Sequence, residues 1–137
     1  MQILAKEVAI MRNVLLVIMA VLFLSSLSFG GDVLKYNPFT KKWEYVEPDS
    51  YLRQNPYTGR WQYSTEDDVI KYNPFRRDWE FTKPESELRH NPFDGDWRYA
   101  SPDSTIKYNP FEKKWDYVEP GETLKYNPFE RRWEWAK

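Results

Sequence analysis

The stretch Leu34-Lys35-Tyr36-Asn37-Pro38-Phe39-Thr40-Lys41-Lys42-Trp43-Glu44-Tyr45-Val46 decides the fold. Leu34 and Tyr36 alternate with Lys35, and Trp43 and Tyr45 alternate with Glu44, a period of two that belongs to strands. Between them Asn37 can bond its side chain to the following backbone and Pro38 presets its own φ, so Asn37 to Lys42 is punctuated as a loop. The expected register sets Tyr36 opposite Trp43, Lys35 opposite Glu44 and Leu34 opposite Tyr45.

The same unit recurs every 18 residues up to Lys137. Its Asn-Pro pairs begin at Asn37, Asn55, Asn73, Asn91, Asn109 and Asn127, and its tryptophans are Trp43, Trp61, Trp79, Trp97, Trp115 and Trp133. Strict periodicity of this kind marks a repeat protein whose short units are stabilised by their neighbours. Gly59 and Gly95 fall at the repeat position of Lys41, where a hairpin loop needs positive φ. Glu47-Pro48-Asp49-Ser50, with Lys83-Pro84-Glu85-Ser86 and Ser101-Pro102-Asp103-Ser104, punctuates a second turn. The sequence therefore predicts an all-β domain over 31–137. It is a tandem array of six 18-residue β-hairpin repeats, about twelve short antiparallel strands, forming an open, curved or solenoid-like single sheet after an N-terminal signal helix.

If pairing continues through the second turn, every ninth residue lines up across the sheet. One face then carries Lys35, Glu44, Arg53, Gln62, Lys71, Glu80, Arg89, Arg98, Lys107, Asp116, Lys125 and Glu134. Opposite charges mostly alternate along this row, which reads as register specification. Arg89 beside Arg98 breaks the alternation and calls for a bridging anion or an acid such as Asp96. The other face carries two rows of rings and aliphatics and needs a cover. Phe39 and its equivalents could fold back over the tryptophans, the sheet could curl onto itself, or two chains could stack. The first and last strands, near Leu34 and Trp133 to Ala136, are expected to be unprotected edges, which are templates for another chain.

Residues 1–30 differ in kind. Val14 to Leu24 is uninterruptedly apolar, Arg12 precedes it, and Ser25, Ser26, Ser28, Gly30 and Gly31 follow. That outline is a secretory signal peptide cleaved after Gly30, with Met11 as an alternative start, because the apolar run is about half of the ~20 residues a spanning helix needs. The expected location is secreted or periplasmic, with membrane contact only through this segment if it stays uncleaved. The absence of cysteine excludes disulfides, a lipid-anchoring thiol and thiolate metal sites. Lys and Arg total 20 against 21 Asp and Glu, a balance that argues against nucleic acid. An aromatic content of 18% is too high for a disordered tail.

Chemistry is sparse. Thiols are missing, serines fall in variable turns, and no Gly-rich loop follows a strand, so no enzyme and no cofactor are expected. His90, the one histidine, reads as a repeat variant. Glu66-Asp67-Asp68 and Asp94-Gly95-Asp96 offer oxygen ligands, yet a repeat protein built on calcium would carry them in every unit. The five Asn-Pro-Phe tripeptides also match a ligand of endocytic adaptor domains, but the turn needs Asn-Pro for geometric reasons.

What remains is the rings. The tryptophans Trp43, Trp61, Trp79, Trp97, Trp115 and Trp133 are assigned to the repeat core. The loop rings Phe39, Tyr57, Phe75, Phe93, Phe111 and Phe129 are the candidate ligand-binding platform. In design the unit from Leu34 to Lys137 is similar to the aromatic-rich cell-wall-binding repeats of secreted bacterial proteins. In those, short hairpins stack into a solenoid and rings between hairpins hold choline or wall polymers. Those repeats begin with Gly-Trp where this unit has Asn-Pro-Phe and a single tryptophan. The expected function is an exported, non-enzymatic repeat module that binds an envelope or extracellular polymer (polysaccharide or peptidoglycan) or a protein partner. The alternative is a structural protein that self-assembles through open sheet edges.

Overall fold

The structure is a computed structural model, and it describes residues 2–11 and 30–137. The chain divides into two compact units, Met1–Gly30 and Gly31–Lys137. Residues 2–11 of the first unit are helical. The apolar run from Val14 to Leu24 lies outside the described residues. Among those described, no helix is long and apolar enough to cross a membrane.

The second unit is built from twelve strands: β1 (Val33–Asn37), β2 (Lys42–Val46), β3 (Tyr51–Gln54), β4 (Trp61–Ser64), β5 (Val69–Asn73), β6 (Asp78–Thr82), β7 (Glu87–His90), β8 (Trp97–Ala100), β9 (Thr105–Asn109), β10 (Lys114–Val118), β11 (Thr123–Asn127) and β12 (Arg132–Ala136). They pair as six antiparallel hairpins, numbered here 1 to 6 from the N-terminal end. The register is the one read from the sequence: Tyr36 faces Trp43, Lys35 faces Glu44 and Leu34 faces Tyr45. In four hairpins the strands reach slightly further into the loop than expected, with Asn37 paired to Lys42 in the first. Lys41, Arg77, Lys113 and Arg131 have φ between 53° and 57°, the left-handed value that Gly59 and Gly95 adopt at the same repeat position.

The expected single sheet does not form. Each hairpin is a separate two-stranded sheet, and no ladder joins it to the next. The chain turns sharply after every second strand, with Ser50 N–H donating to Glu47 O and Ser86 N–H to Lys83 O. The next hairpin is therefore placed against a face of its predecessor instead of beside its edge.

This stacking supplies the cover that the aromatic face needs. The charged face of one hairpin lies on the ring-bearing face of the next. Asn37 Nδ2 donates to Trp61 O, and Asn55, Asn73, Asn91 and Asn109 make the same bond to the tryptophan carbonyl 24 residues on, at 2.9–3.1 Å. The six asparagines are among the most buried side chains of the domain.

Nor is the array open. Asn127 Nδ2 donates to Trp43 O at 2.9 Å, Phe129 stacks on Trp43 and Lys125 lies over Tyr45, so hairpin 6 meets hairpin 1 as any hairpin meets its successor. Where a covalent turn is lacking, Asp32 N–H donates to Lys137 O at 2.7 Å and Lys137 N–H to Asp32 Oδ2 at 2.9 Å. The six hairpins close into a ring. The first and last hairpins, expected to be the free ends of the array, meet each other through these bonds.

The charge row also takes a different role. Its cations do not pair across the hairpin. Lys35 Nζ donates to Pro48 O and Ser50 O, Lys71 Nζ to Pro84 O and Ser86 O, and Arg89 to Ser101 O and Ser104 O. Lys35, Arg53, Lys71 and Arg89 cap the turn that ends their own hairpin while lying over a ring of the next, Lys35 on Tyr63, Arg53 on Phe81, Lys71 on Tyr99 and Arg89 on Tyr117, and Lys107 lies over Trp135, all at 4.5–5.8 Å. A cation held over a ring contributes about 0.5–2 kcal/mol, depending on its desolvation. Arg98 meets the expected Asp96 at 3.3 Å, and is also paired with Asp94 and with Asp116 at 3.2 Å.

Candidate functional site

The loop that carries each candidate ring is fixed from both sides. Asn37 Oδ1 accepts from the N–H groups of Phe39 and Thr40, which closes the turn, while its Nδ2 holds the neighbouring hairpin. One buried amide thus sets both the loop and its docking, and its polar atoms are satisfied in doing so. Phe39 is delivered onto Trp61 at 4.7 Å between ring centroids, with the planes 9° apart. Tyr57 stacks on Trp79, Phe75 on Trp97, Phe93 on Trp115, Phe111 on Trp133 and Phe129 on Trp43 at 4.0–4.5 Å. Such pairs contribute roughly 0.5–1.5 kcal/mol beyond burial.

The tryptophans are half-buried in this arrangement. They are sandwiched between the loop ring of the preceding hairpin and a tilted ring of their own: Tyr36 on Trp43, Tyr72 on Trp79, His90 on Trp97, Tyr108 on Trp115 and Tyr126 on Trp133. His90 therefore does what tyrosine does in hairpins 1, 3, 5 and 6. The loop rings remain the exposed members, at 55–62%. Tyr36, Tyr72, Tyr108 and Tyr126 are exposed at 43–45% beside them. Each seam between hairpins presents a fixed ring cluster to solvent, and only the seam between hairpins 1 and 2 lacks the tilted ring, because Gln54 stands there.

A second concave region gathers charges from several hairpins. Glu44, Arg98, Asp116 and Glu134, with Tyr45, Tyr117 and Trp135, line an open cavity of about 450 Å³. In the turns, Lys83 reaches past hairpin 2 to Glu47 at 2.7 Å and also meets Asp68 at 3.1 Å. Burial tends to raise the Asp68 carboxyl, but the Thr65 N–H and the Lys83 ammonium outweigh it and hold Asp68 below its ordinary value. Glu122 lies the other way. Burial, with Glu119 and Asp32 nearby, pushes its carboxyl up despite the bond from Glu119 N–H. Among the described residues no three His, Cys, Asp or Glu side chains are grouped to hold a metal ion.

The sequence named the loop rings as the candidate platform, and they are exposed; it assigned the tryptophans to the core, and they are half-buried. It missed the second bond of each asparagine and the destination of the row of Lys and Arg. The signal that could have found the latter is that all six first-strand positions are cationic while their cross-strand partners include Gln62 and Arg98. No protein-family model, no curated protein and no solved structure matches the chain.

Proposed function

We propose that the chain is an exported, non-enzymatic module that binds a polysaccharide of the envelope or extracellular space through the ring clusters of its hairpin seams. The observation that carries this reading is that Phe39, Tyr57, Phe75, Phe93, Phe111 and Phe129 are more than half exposed although each is fixed against a tryptophan. A ring that filled space would be covered, and a mobile one would lose entropy on binding. A stacked, exposed ring presents a preorganised apolar face to the C–H face of a sugar. Six such faces on one ring suit a ligand that itself repeats, since linked weak contacts multiply in avidity when geometry lets them engage together. The apolar run ahead of the domain supports export.

The test is retention of the full-length chain on peptidoglycan, cellulose and chitin, with tryptophan fluorescence followed in parallel. Retention with a spectral change is expected on at least one polymer. Passage through all three with an unchanged spectrum would count against binding by the rings.

A further inference from the structure

Beyond the asparagine bond common to all six seams, five are bridged by a second polar side chain near the loop, and one is not. Arg60 crosses from hairpin 2 to Asp78 at 2.5 Å, Arg76 crosses from hairpin 3 to Asp96, and Arg98 crosses from hairpin 4 to Asp116 at 3.2 Å. In the last two seams a loop glutamate does the same work. Glu112 Oε1 accepts from Trp133 N–H at 3.2 Å, and Glu130 Oε1 accepts from Trp43 N–H at 2.9 Å.

At the seam between hairpins 1 and 2, the residue equivalent to those glutamates is Thr40. Its side chain is too short to cross and its hydroxyl turns back to Glu44 Oε1 at 3.3 Å. The tilted ring against the tryptophan is also missing here, since Gln54 stands at that position and donates to Gly59 O. On the Thr40 side this seam holds an open cleft of about 590 Å³ lined by Phe39, Trp61, Thr40, Glu44, Arg60 and Gln62, among others. Its volume lies within the ~300–1,000 Å³ usual for ligand pockets. Gln62 Oε1 is buried there without a hydrogen-bond partner. A buried acceptor left unmade is costly and points to an absent donor.

We infer that this seam is the ring's selective subsite and that it holds a neutral pyranose unit of a glycan, an inference that rests on the polysaccharide reading above. The stacked pair Phe39 and Trp61 supplies an apolar wall. Gln62 Oε1 awaits a hydroxyl donor, and Thr40 and Glu44 offer oxygens beside it. Arg60 is already engaged by Asp78, and its charge opposes that of Glu44, so the cleft has no strong preference for an ion of either sign. Apolar stacking combined with convergent groups for hydroxyls is the complement of an uncharged sugar ring.

The test uses the full-length chain labelled with 5-fluorotryptophan, whose seven tryptophans report separately by fluorine NMR. It is titrated with cellohexaose, chitohexaose and maltohexaose, and with a proline-rich peptide as the competing ligand class. The Trp61 resonance, identified by its loss in Trp61→Phe, is expected to shift most with at least one glycan. Thr40→Glu, which installs the bridge found at the last two seams, is expected to weaken that binding at least tenfold. If Thr40→Glu loses spectral dispersion, Gln62→Leu is the second variant, with the same expected loss. Glycan binding that moves other tryptophans and leaves Trp61 still would overturn this subsite while sparing the wider reading. No shift with any glycan would overturn both, a shift with the peptide alone would overturn the glycan assignment, and undiminished binding by the folded variant would overturn the cleft.

Discussion

Asn127 donates through Nδ2 to the carbonyl of Trp43 across the junction of the chain's two ends, at 2.9 Å, the same bond that Asn73 makes to Trp97 within the array. The ring therefore has six like joints, one of which has no covalent turn beside it.

Asn127→Ala and Asn73→Ala should destabilise the domain by similar amounts. Each removes a buried amide that accepts from two loop N–H groups and donates to the neighbouring hairpin. Leaving a buried donor or acceptor unmade costs about 1–3 kcal/mol. Urea unfolding of both variants measures this, and a negligible loss for Asn127→Ala beside a full loss for Asn73→Ala would mean that the ring is open in solution.

Positive φ at Lys41, Arg77, Lys113 and Arg131 makes a second prediction. The left-handed region costs a non-glycine residue roughly 1–2 kcal/mol, and glycine's extra freedom in the unfolded chain offsets about 0.5–1 of that. Lys113→Gly should therefore stabilise by about 0.5–1 kcal/mol. Gly95→Ala should destabilise by a similar amount, and since a Cβ there meets no atom within 4 Å, backbone strain alone would cause it. Equal denaturation midpoints for Gly95→Ala and the unsubstituted chain would contradict this.

The contrast between these two predictions shows what was legible. Hairpin register and loop φ are local properties, written in alternation and in the shared position of Lys41 and Gly59. The stacking of the hairpins depends on Asn37 reaching a carbonyl 24 residues away, and the closing of the ring on Asn127 reaching Trp43, and a side chain that already explains its own turn gives no hint of a second partner. A row of Lys35, Glu44, Arg53 and Gln62 at ninefold spacing fits one continuous sheet as well as it fits stacked hairpins. The pair that could not fit the sheet, Arg89 opposite Arg98, is explained once Arg89 caps Ser101 and Ser104 and Arg98 turns to aspartates. The open seam at Thr40 was invisible for a similar reason, because its meaning comes from what Glu112 and Glu130 do elsewhere.

If the first-strand cations cap turns, Lys71 should couple to Tyr99 and not to Glu80. Lys71 faces Glu80 across the hairpin, yet its ammonium bonds Pro84 O and Ser86 O and lies 5.6 Å from the Tyr99 ring centroid. A double-mutant cycle of Lys71→Met with Tyr99→Leu should give a coupling of about 0.5–1 kcal/mol. The cycle with Glu80→Gln should give a value near zero. Strong coupling to Glu80 would restore the cross-strand ion pair.

Acid should act in opposite directions on two turn carboxylates. Asp68 is held below its ordinary value because the Thr65 N–H and Lys83 overcome the effect of burial. Its stabilisation is present above the unfolded carboxylate range near pH 4 and is lost as pH falls through its folded pKa. Glu122 is raised by burial and neighbouring acids, so its contribution is full below that range and lost as pH rises through its folded pKa. Thermal melts should show Asp68→Asn destabilising more at pH 7 than at pH 3, and Glu122→Gln stabilising more at pH 7 than at pH 3. Equal shifts at both pH values for either variant would reject the linkage.

Ring closure finally predicts how association would be provoked. In the intact chain the ring-bearing face of hairpin 1 is covered by Phe129, Lys125 and Asn127. A chain ending at Val118 loses hairpin 6, which leaves Trp43 and Tyr45 uncovered at one end and Asn109, Phe111 and Lys107 without a hairpin to dock on at the other. Those surfaces are complementary, because every internal joint brings equivalents of the same residues together. Contact of this head-to-tail kind propagates when rotation does not close it. Light scattering should therefore find the intact chain monomeric and the shortened one growing with concentration into larger species. A shortened chain that stays monomeric and folded at high concentration would show that five hairpins can close by themselves, and the sixth joint would then be dispensable.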